Sequence, residues 1–214
     1  MIEVLLADDH KIVREGLRQI LGDTGDILVA AEAANGHEVM EHVRARHFDV
    51  IVLDLSMPGR SGLDLIKQLR DETPRCRILV LSMHPEEQYA VRAIRAGAAG
   101  YLHKDSASDD LVTAIRKVSG GGVYVSAAAA DALVRGFMPG VSSAPHTQLS
   151  DREYQVFLMI ADGVSITDIA QKLSLSVKTV STHKSRILEK MGVTSAADLI
   201  RYAIRHDLAG DPGA

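Results

Sequence analysis

Cysteine is almost absent. Cys76 is the only one in 214 residues, so no disulfide can form within the chain, and a reducing cytoplasm is the expected setting. No apolar run approaches the roughly 20 residues that a membrane-spanning helix needs, and no membrane association is expected. The opening MIEVLLADDH is apolar only briefly before it turns acidic, unlike a secretory signal. A surplus of positive charge is lacking too. The formal net charge is −4, which gives no sign of nucleic acid over the whole chain, so charge has to be read segment by segment. What is present is an ordinary globular composition, 46% hydrophobic and 24% charged, in a chain long enough for one or two domains.

From residue 2 to about 119, short apolar runs alternate with helical spacing. The runs are Val4–Ala7, Ile27–Ala31, Val50–Leu53, Ile78–Leu81 and Ala99–Leu102. Between and after them, pairs such as Val13 and Leu17, Val39 and Val43, Leu65 and Leu69, Ala90 and Ile94, and Leu111 and Ile115 recur at helical intervals. Strand and helix alternating in this way predict a parallel sheet with helices on both faces. SGGGV at 119–123 breaks the pattern. SAAAADALVRGF then predicts a short helix, and MPGVSSAPHTQ reads as a linker. From Leu149 onward strand signals are lacking. Four helical patterns follow, opened by Ser150 (with Glu153 completing a capping box), Ser165, Ser176 and Ser195. The expected organisation is an α/β domain over 1–122, a linker with a short helix over 123–147, and an all-α domain over 148–209.

Polar residues stand where the buried strands end. Asp8 and Asp9 follow the first run, Asp54 the third, Ser82 the fourth and Lys104 the fifth. In a parallel sheet these ends share one edge, where open α/β sheets bind their ligands. Carboxylates brought together there need a compensating cation. Mg²⁺ suits oxygen ligands that must also hold a phosphoryl oxygen. Asp54 is then placed to act as a nucleophile toward phosphate. Asp8 and Asp9 would hold the metal, Lys104 would neutralise phosphoryl charge, and Ser82 would hydrogen-bond the new group.

LLADDH, VIVLDLSMPGRSGL, ILVLSMH and AAGYLHKD, in that order and spacing, resemble the receiver domain of bacterial two-component response regulators. The resemblance covers about residues 1–120. It implies a flavodoxin-like fold with a five-stranded parallel sheet in order 2-1-3-4-5, and phosphate supplied by a sensor histidine kinase or a small phosphodonor. Asp54 matches the phospho-acceptor, Asp9 a direct Mg²⁺ ligand, Asp8 the acid that holds the metal mainly through water, and the backbone carbonyl of Ser56 the third protein ligand. Ser82 and Tyr101 match the pair that switches when phosphate arrives, and Lys104 the phosphoryl-binding lysine. Asp105 departs from the proline that many receivers carry after that lysine. His84 is expected near the pocket mouth, either tuning hydrolysis of the acyl phosphate or simply solvated.

In the C-terminal part, helix, turn and helix from Ser165 to Met191 form the arrangement that sends a second helix into the DNA major groove. Between Lys172 and Lys190 five basic residues stand against one acidic, whereas 149–214 as a whole balances eight against eight. The positive charge is therefore concentrated where phosphate contact would use it. Val177, Val180, Ile187, Leu188 and Met191 are expected to face the domain, with Lys178, Thr182 and Ser185 outward.

LSDRE, ADGVS, DIAQKLSLSVKTVSTHKSRILEKMGV and SAADLI are similar to the LuxR-type DNA-binding domain, which with a receiver makes the chain resemble NarL/FixJ-type regulators. The resemblance implies a four-helix domain in which Ser181, Thr182 and Ser185 face base edges of double-stranded DNA. Lys178, Thr179, His183, Lys184 and Arg186 would lie nearer the phosphates. Ile166 stands where the family usually has Asn, and the short base-facing hydroxyls read bases weakly. The wide apolar arc of the last helix, with Leu199, Ile200 and Ala203, is expected to serve a homodimer formed on activation. The family implies a regulator whose recognition helix is obstructed until phosphorylation, with RNA polymerase a further partner. It implies no enzyme activity beyond the receiver's own phosphorylation and dephosphorylation. Two other readings stay open: a Mg²⁺-dependent phosphohydrolase, although Ser56 occupies the place of its usual second acid, and an adaptor that never touches DNA.

Overall fold

A computed structural model describes residues 1–57, 62–83, 86–106, 108–137, 144–206 and 208. Pro58 and Gly59 of the third-strand motif, and His84, lie outside the described residues. The chain divides into two compact units, Met1–Val134 and Arg135–Ala214.

The first unit alternates β1 (Ile2–Ala7), α1 (Lys11–Gly22), β2 (Ile27–Ala33), α2 (Gly36–Ala45), β3 (Val50–Leu53), α3 (Gly62–Glu72), β4 (Arg77–Ser82), α4 (Glu86–Ala96), β5 (Gly100–His103) and α5 (Ser108–Ser119). The strands form one parallel sheet, as the alternating pattern predicted, in the order β2-β1-β3-β4-β5 that the receiver resemblance implied. All four residues of β3 are buried, so its apolar run is continuous rather than alternating. One face of the sheet, with Val4, Leu6, Val50, Val52, Leu79 and Leu81, packs with Leu21 of α1 and Leu111, Ala114, Ile115 and Val118 of α5. Leu5, Ile51, Leu53 and Val80 alternate with them and are buried too, so both faces are covered. At the start of α3, Gly62 approaches the chain closely: a Cβ there would lie 2.7 Å from Leu55 Cα, inside van der Waals contact.

Register decides what meets at the sheet's C-terminal edge. Ala7 is paired with Leu53, and Leu53 with Val80. Asp54 N–H donates to Ala7 O at 2.8 Å, and Lys104 N–H to Ser82 O at 2.9 Å. Asp8, Asp54 and Lys104 are thereby the first residues beyond three strands, on one edge.

After α5 the Ala-rich stretch forms α6 (Ala127–Phe137). Its start belongs with the first unit, which runs to Val134. The second unit opens with a 3-10 turn at Pro145–Gln148, followed by α7 (Asp151–Ala161), α8 (Ile166–Lys172), α9 (Val177–Met191) and α10 (Ala196–Arg205). Ser150, Ser165 and Ser176, expected as N-caps, and Ser195 at the head of the fourth helix each accept a backbone N–H three residues on, and Ser150 with Glu153 and Ser195 with Asp198 close capping boxes. Gly192 ends α9 at φ +66°, a left-handed conformation that glycine adopts without penalty.

Glu153 does more than cap. It is buried, its Oε2 accepts from Ser150 N–H at 2.8 Å, and Lys190 Nζ of α9 lies 2.6 Å from the same oxygen. Burial pushes its carboxyl pKa up, but the bonds from Lys190 and Ser150 outweigh that and hold it below the usual range. With the folded pKa depressed, this stabilisation is present above about pH 4.5 and is lost as pH falls through the folded value. Glu153→Gln is expected to cost roughly 1–3 kcal/mol at pH 7 and to flatten the acid limb of the stability profile. Urea denaturation between pH 3 and 7 measures both.

Candidate functional site

Asp8 and Asp54 are both buried to 2% exposure because the strands that deliver them are. Lys104 reaches between them, its Nζ 2.6 Å from Asp8 Oδ2 and 2.8 Å from Asp54 Oδ2. Burial disfavours the ammonium, but its bonds to Asp54 and Asp8 outweigh that and raise the Lys104 pKa above the usual lysine range. The second oxygen of Asp54 accepts from Ser56 N–H at 2.9 Å, which fixes the carboxylate in the turn after β3. Asp8 Oδ1 accepts from His10 N–H at 2.8 Å, and Arg14 donates to Asp8 O. Asp9 and His10 are more exposed, with His10 Nδ1 3.0 Å from Asp9 Oδ1. One ligand atom from each of Asp8, Asp9, His10 and Asp54 can be chosen so that all lie within 4.8 Å of one another. Three carboxylates dominate this donor set, so it fits a divalent cation that prefers oxygen.

Ser82 and Tyr101 are both fully buried. They lie on neighbouring strands, where Val80 pairs with Tyr101 and Ser82 with His103. Tyr101 is therefore not half in water as an edge aromatic would be. Cis peptide bonds are absent among the described residues, the bond before Asp105 included.

In the second unit, α9 follows a turn in which Ser174 takes φ +53°. Lys178, Thr179, Ser181, Thr182, Ser185 and Arg186 are exposed along it. The Thr182 hydroxyl donates to Lys178 O at 3.0 Å and that of Ser185 to Ser181 O at 3.1 Å. Val180, Ile187 and Met191 are buried on the opposite side. No helix among the described residues is long and apolar enough to cross a membrane.

Residues 4–116 match the family described as the response regulator receiver domain, and residues 147–203 that of the bacterial regulatory proteins of the luxR family. Response regulator UvrY of Escherichia coli O6:H1 is 38% identical over 97% of this chain and 96% of its own. Response regulator GacA of Pseudomonas aeruginosa is 37% identical over 97% of this chain and 98% of its own. The chain belongs to the NarL/FixJ-type response regulators. Among solved structures, RcsB from Salmonella enterica serovar Typhimurium, bound to promoter rprA with the phosphomimetic BeF3-, superposes with a TM-score of 0.67 at 28% identity. That match covers 94% of this chain and 98% of RcsB.

Such a response regulator is a phosphorylation-controlled, DNA-binding transcription factor of a two-component system. Four features of this one differ from the sequence expectation. His10 joins the carboxylate cluster; its place directly after Asp9 in LLADDH was the available signal. Val177, expected inside, is 49% exposed. His183, expected toward phosphates, is partly buried. Burial, together with Arg152 and Arg186, lowers its pKa against the opposing pull of Glu153. Finally, Leu199 and Ala203, expected at a dimer face, are fully buried within their own unit; along α10, Ile204 at 63% exposure is the open large apolar residue. The helix turns Leu199 and Ala203, four residues apart, inward together and leaves Ile204 outside.

Proposed function

We propose that residues 1–122 are the receiver, 123–147 the linker and 148–209 the DNA-binding domain, and that the receiver takes a phosphoryl group on Asp54 from a sensor histidine kinase. The observation that carries this reading is the buried Asp54 carboxylate, held by Ser56 N–H and Lys104 beside Asp8 and Asp9. Asp9, Asp8, Asp54 and the Ser56 carbonyl would hold Mg²⁺, whose charge neutralises the incoming phosphoryl oxygens. Lys104 is positioned to follow one of those oxygens. Its ammonium is already desolvated and need only exchange a carboxylate for phosphate. Phosphorylation adds about −1.5 to −2 charge and three acceptor oxygens. The Ser82 hydroxyl turns toward them, and the space it leaves admits the Tyr101 ring. The receiver would catalyse only its own phosphorylation and dephosphorylation.

The output is promoter binding as a homodimer in the cytoplasm, with RNA polymerase as a further partner. Lys178, Thr179, Lys184 and Arg186 of α9 would meet phosphates, with His183 at the margin, while Ser181, Thr182 and Ser185 approach base edges. Ile200 and Ile204 would contribute to the dimer face. Two experiments test this. Incubation with acetyl phosphate and Mg²⁺ is expected to leave one phosphoryl group, located at Asp54 by mass spectrometry. Sequencing the genomic fragments retained by the purified phosphoprotein is expected to return a shared motif. Ser181→Ala, Thr182→Val and Ser185→Ala together are expected to flatten that motif at the matching base pairs, by about 1–3 kcal/mol for each hydroxyl that pairs well with a base edge. An unchanged motif would show that these hydroxyls do not read bases.

A further inference from the structure

The edge of the sheet at β5 is not bare. Beyond the glycine-rich break, Tyr124 forms a parallel bridge with Gly100. Its N–H donates to Ala99 O at 3.0 Å, and its carbonyl accepts from Tyr101 N–H at 2.8 Å. The fit is close: a Cβ on Gly100 would lie 2.9 Å from Tyr124 O and 3.2 Å from Tyr124 Cβ. Lys117 Nζ of α5 lies 5.7 Å from the centre of the Tyr124 ring, a cation–π contact that also holds the segment. Two residues on, Ser126 N–H donates to Glu86 Oε1 at 2.6 Å. Ser126 in turn caps α6, its Oγ accepting from Ala129 N–H at 3.1 Å and its carbonyl from Ala130 N–H at 3.0 Å. Ala129 is fully buried.

Two links therefore converge on the short segment, Tyr124 to Ser126, that leads into α6. One comes from the backbone of Tyr101, the proposed switch residue. The other comes from Glu86, the first residue of α4, in the segment that follows Ser82. If Ser82 and Tyr101 rearrange, the backbone at Tyr101 and the entry to α4 are the places where strain arrives first. At each of those places the linker is hydrogen-bonded.

We propose that Tyr124 and Ser126 are positioning residues that carry the phosphorylation signal out of the receiver, through the Tyr101–Tyr124 backbone pair and the Glu86–Ser126 hydrogen bond, to helix α6. The proposal rests on the reading of Asp54 as phospho-acceptor. A displacement at either anchor must move α6 or break a link, and α6 heads the segment that leads on to the DNA-binding unit.

The test compares the full chain with Glu86→Ala, Glu86→Gln and Gly100→Ala. DNA affinity is measured on a fragment from the genomic capture, with and without acetyl phosphate, at matched Asp54 phosphate occupancy. Glu86→Ala and Gly100→Ala are expected to take phosphate as the parent does, while the gain in affinity on phosphorylation falls about two- to thirtyfold. Glu86→Gln keeps an acceptor for Ser126 and is expected to keep the gain. In the parent chain, hydrogen exchange at the Tyr124 and Ser126 amides is expected to change when phosphate is added. That measurement and Glu86→Ala decide the matter should Gly100→Ala, which also crowds Leu79, fail to fold. Glu86→Ala retaining the full gain, or unchanged exchange at both amides, overturns the proposal alone. A parent chain that takes no phosphate, or takes it without a change in affinity, overturns the underlying reading and the proposal with it.

Discussion

Asp54→Asn is expected to abolish the phosphoryl adduct formed from acetyl phosphate and, with it, the whole phosphorylation-dependent gain in DNA affinity. Coupling between two sites in one protein is typically about 5- to 150-fold, and all of it should vanish. The reason lies in the pocket. Asp54 stands at the end of a fully buried strand, one oxygen accepting from Ser56 N–H and the other facing Lys104. An asparagine there keeps the shape but has no anionic oxygen to attack phosphorus. Intact-mass measurement after acetyl phosphate treatment reads the first loss, and fluorescence anisotropy on a captured promoter fragment reads the second. Phosphate still appearing in the variant at a neighbouring acid would show that Asp54 is not the acceptor.

Lys104→Met is expected to destabilise the receiver by about 3–5 kcal/mol in metal-free buffer, because it leaves two buried carboxylates facing one another without their cation. Lys104 Nζ touches both Asp8 and Asp54, which are almost wholly removed from solvent. The folded chain raises the Lys104 pKa, so its contribution is complete below the unfolded value of about 10.4 and is lost only as pH rises through the folded value. Neutral pH therefore reports all of it. Millimolar Mg²⁺ is expected to restore much of the loss, since a divalent cation among the same oxygens replaces the missing charge. Urea denaturation with and without Mg²⁺ separates the two effects. A variant as stable as the parent in metal-free buffer would mean that the pair contributes nothing net.

The candidate site was legible largely because the strands around it are buried on both faces. An interior strand is written as an unbroken apolar run, so the polar residue that ends it, Asp54 after VIVL or Ser82 after RILVL, stands out. Parallel pairing then puts all such ends on one edge. The helical unit was legible for a different reason. Capping is local: a serine meets an N–H three residues away, and Ser150, Ser165, Ser176 and Ser195 could each be read without knowing what packs above them. Ambiguity entered where an apolar residue had two surfaces to choose from. Val177 carries the same side chain as Val180, yet one is 49% exposed and the other buried. Leu199 and Ile204 sit on one amphipathic helix, and only its seating against α7 decides which is spent on the domain's own core.

The order of residues alone determined the strand–helix alternation, the acids and lysine at the strand ends, the basic concentration on α9 and the helix starts, since each depends on burial or on bonds only a few residues long. Tertiary structure decided the rest. It brought Lys104 between Asp8 and Asp54, drew His10 into the carboxylate cluster, turned His183 and Leu199 inward, and bound Tyr124 to Tyr101 across a glycine. These pairings join positions far apart in the chain or choose between faces of one helix. Such choices depend on packing geometry, which a pattern of residue types does not contain.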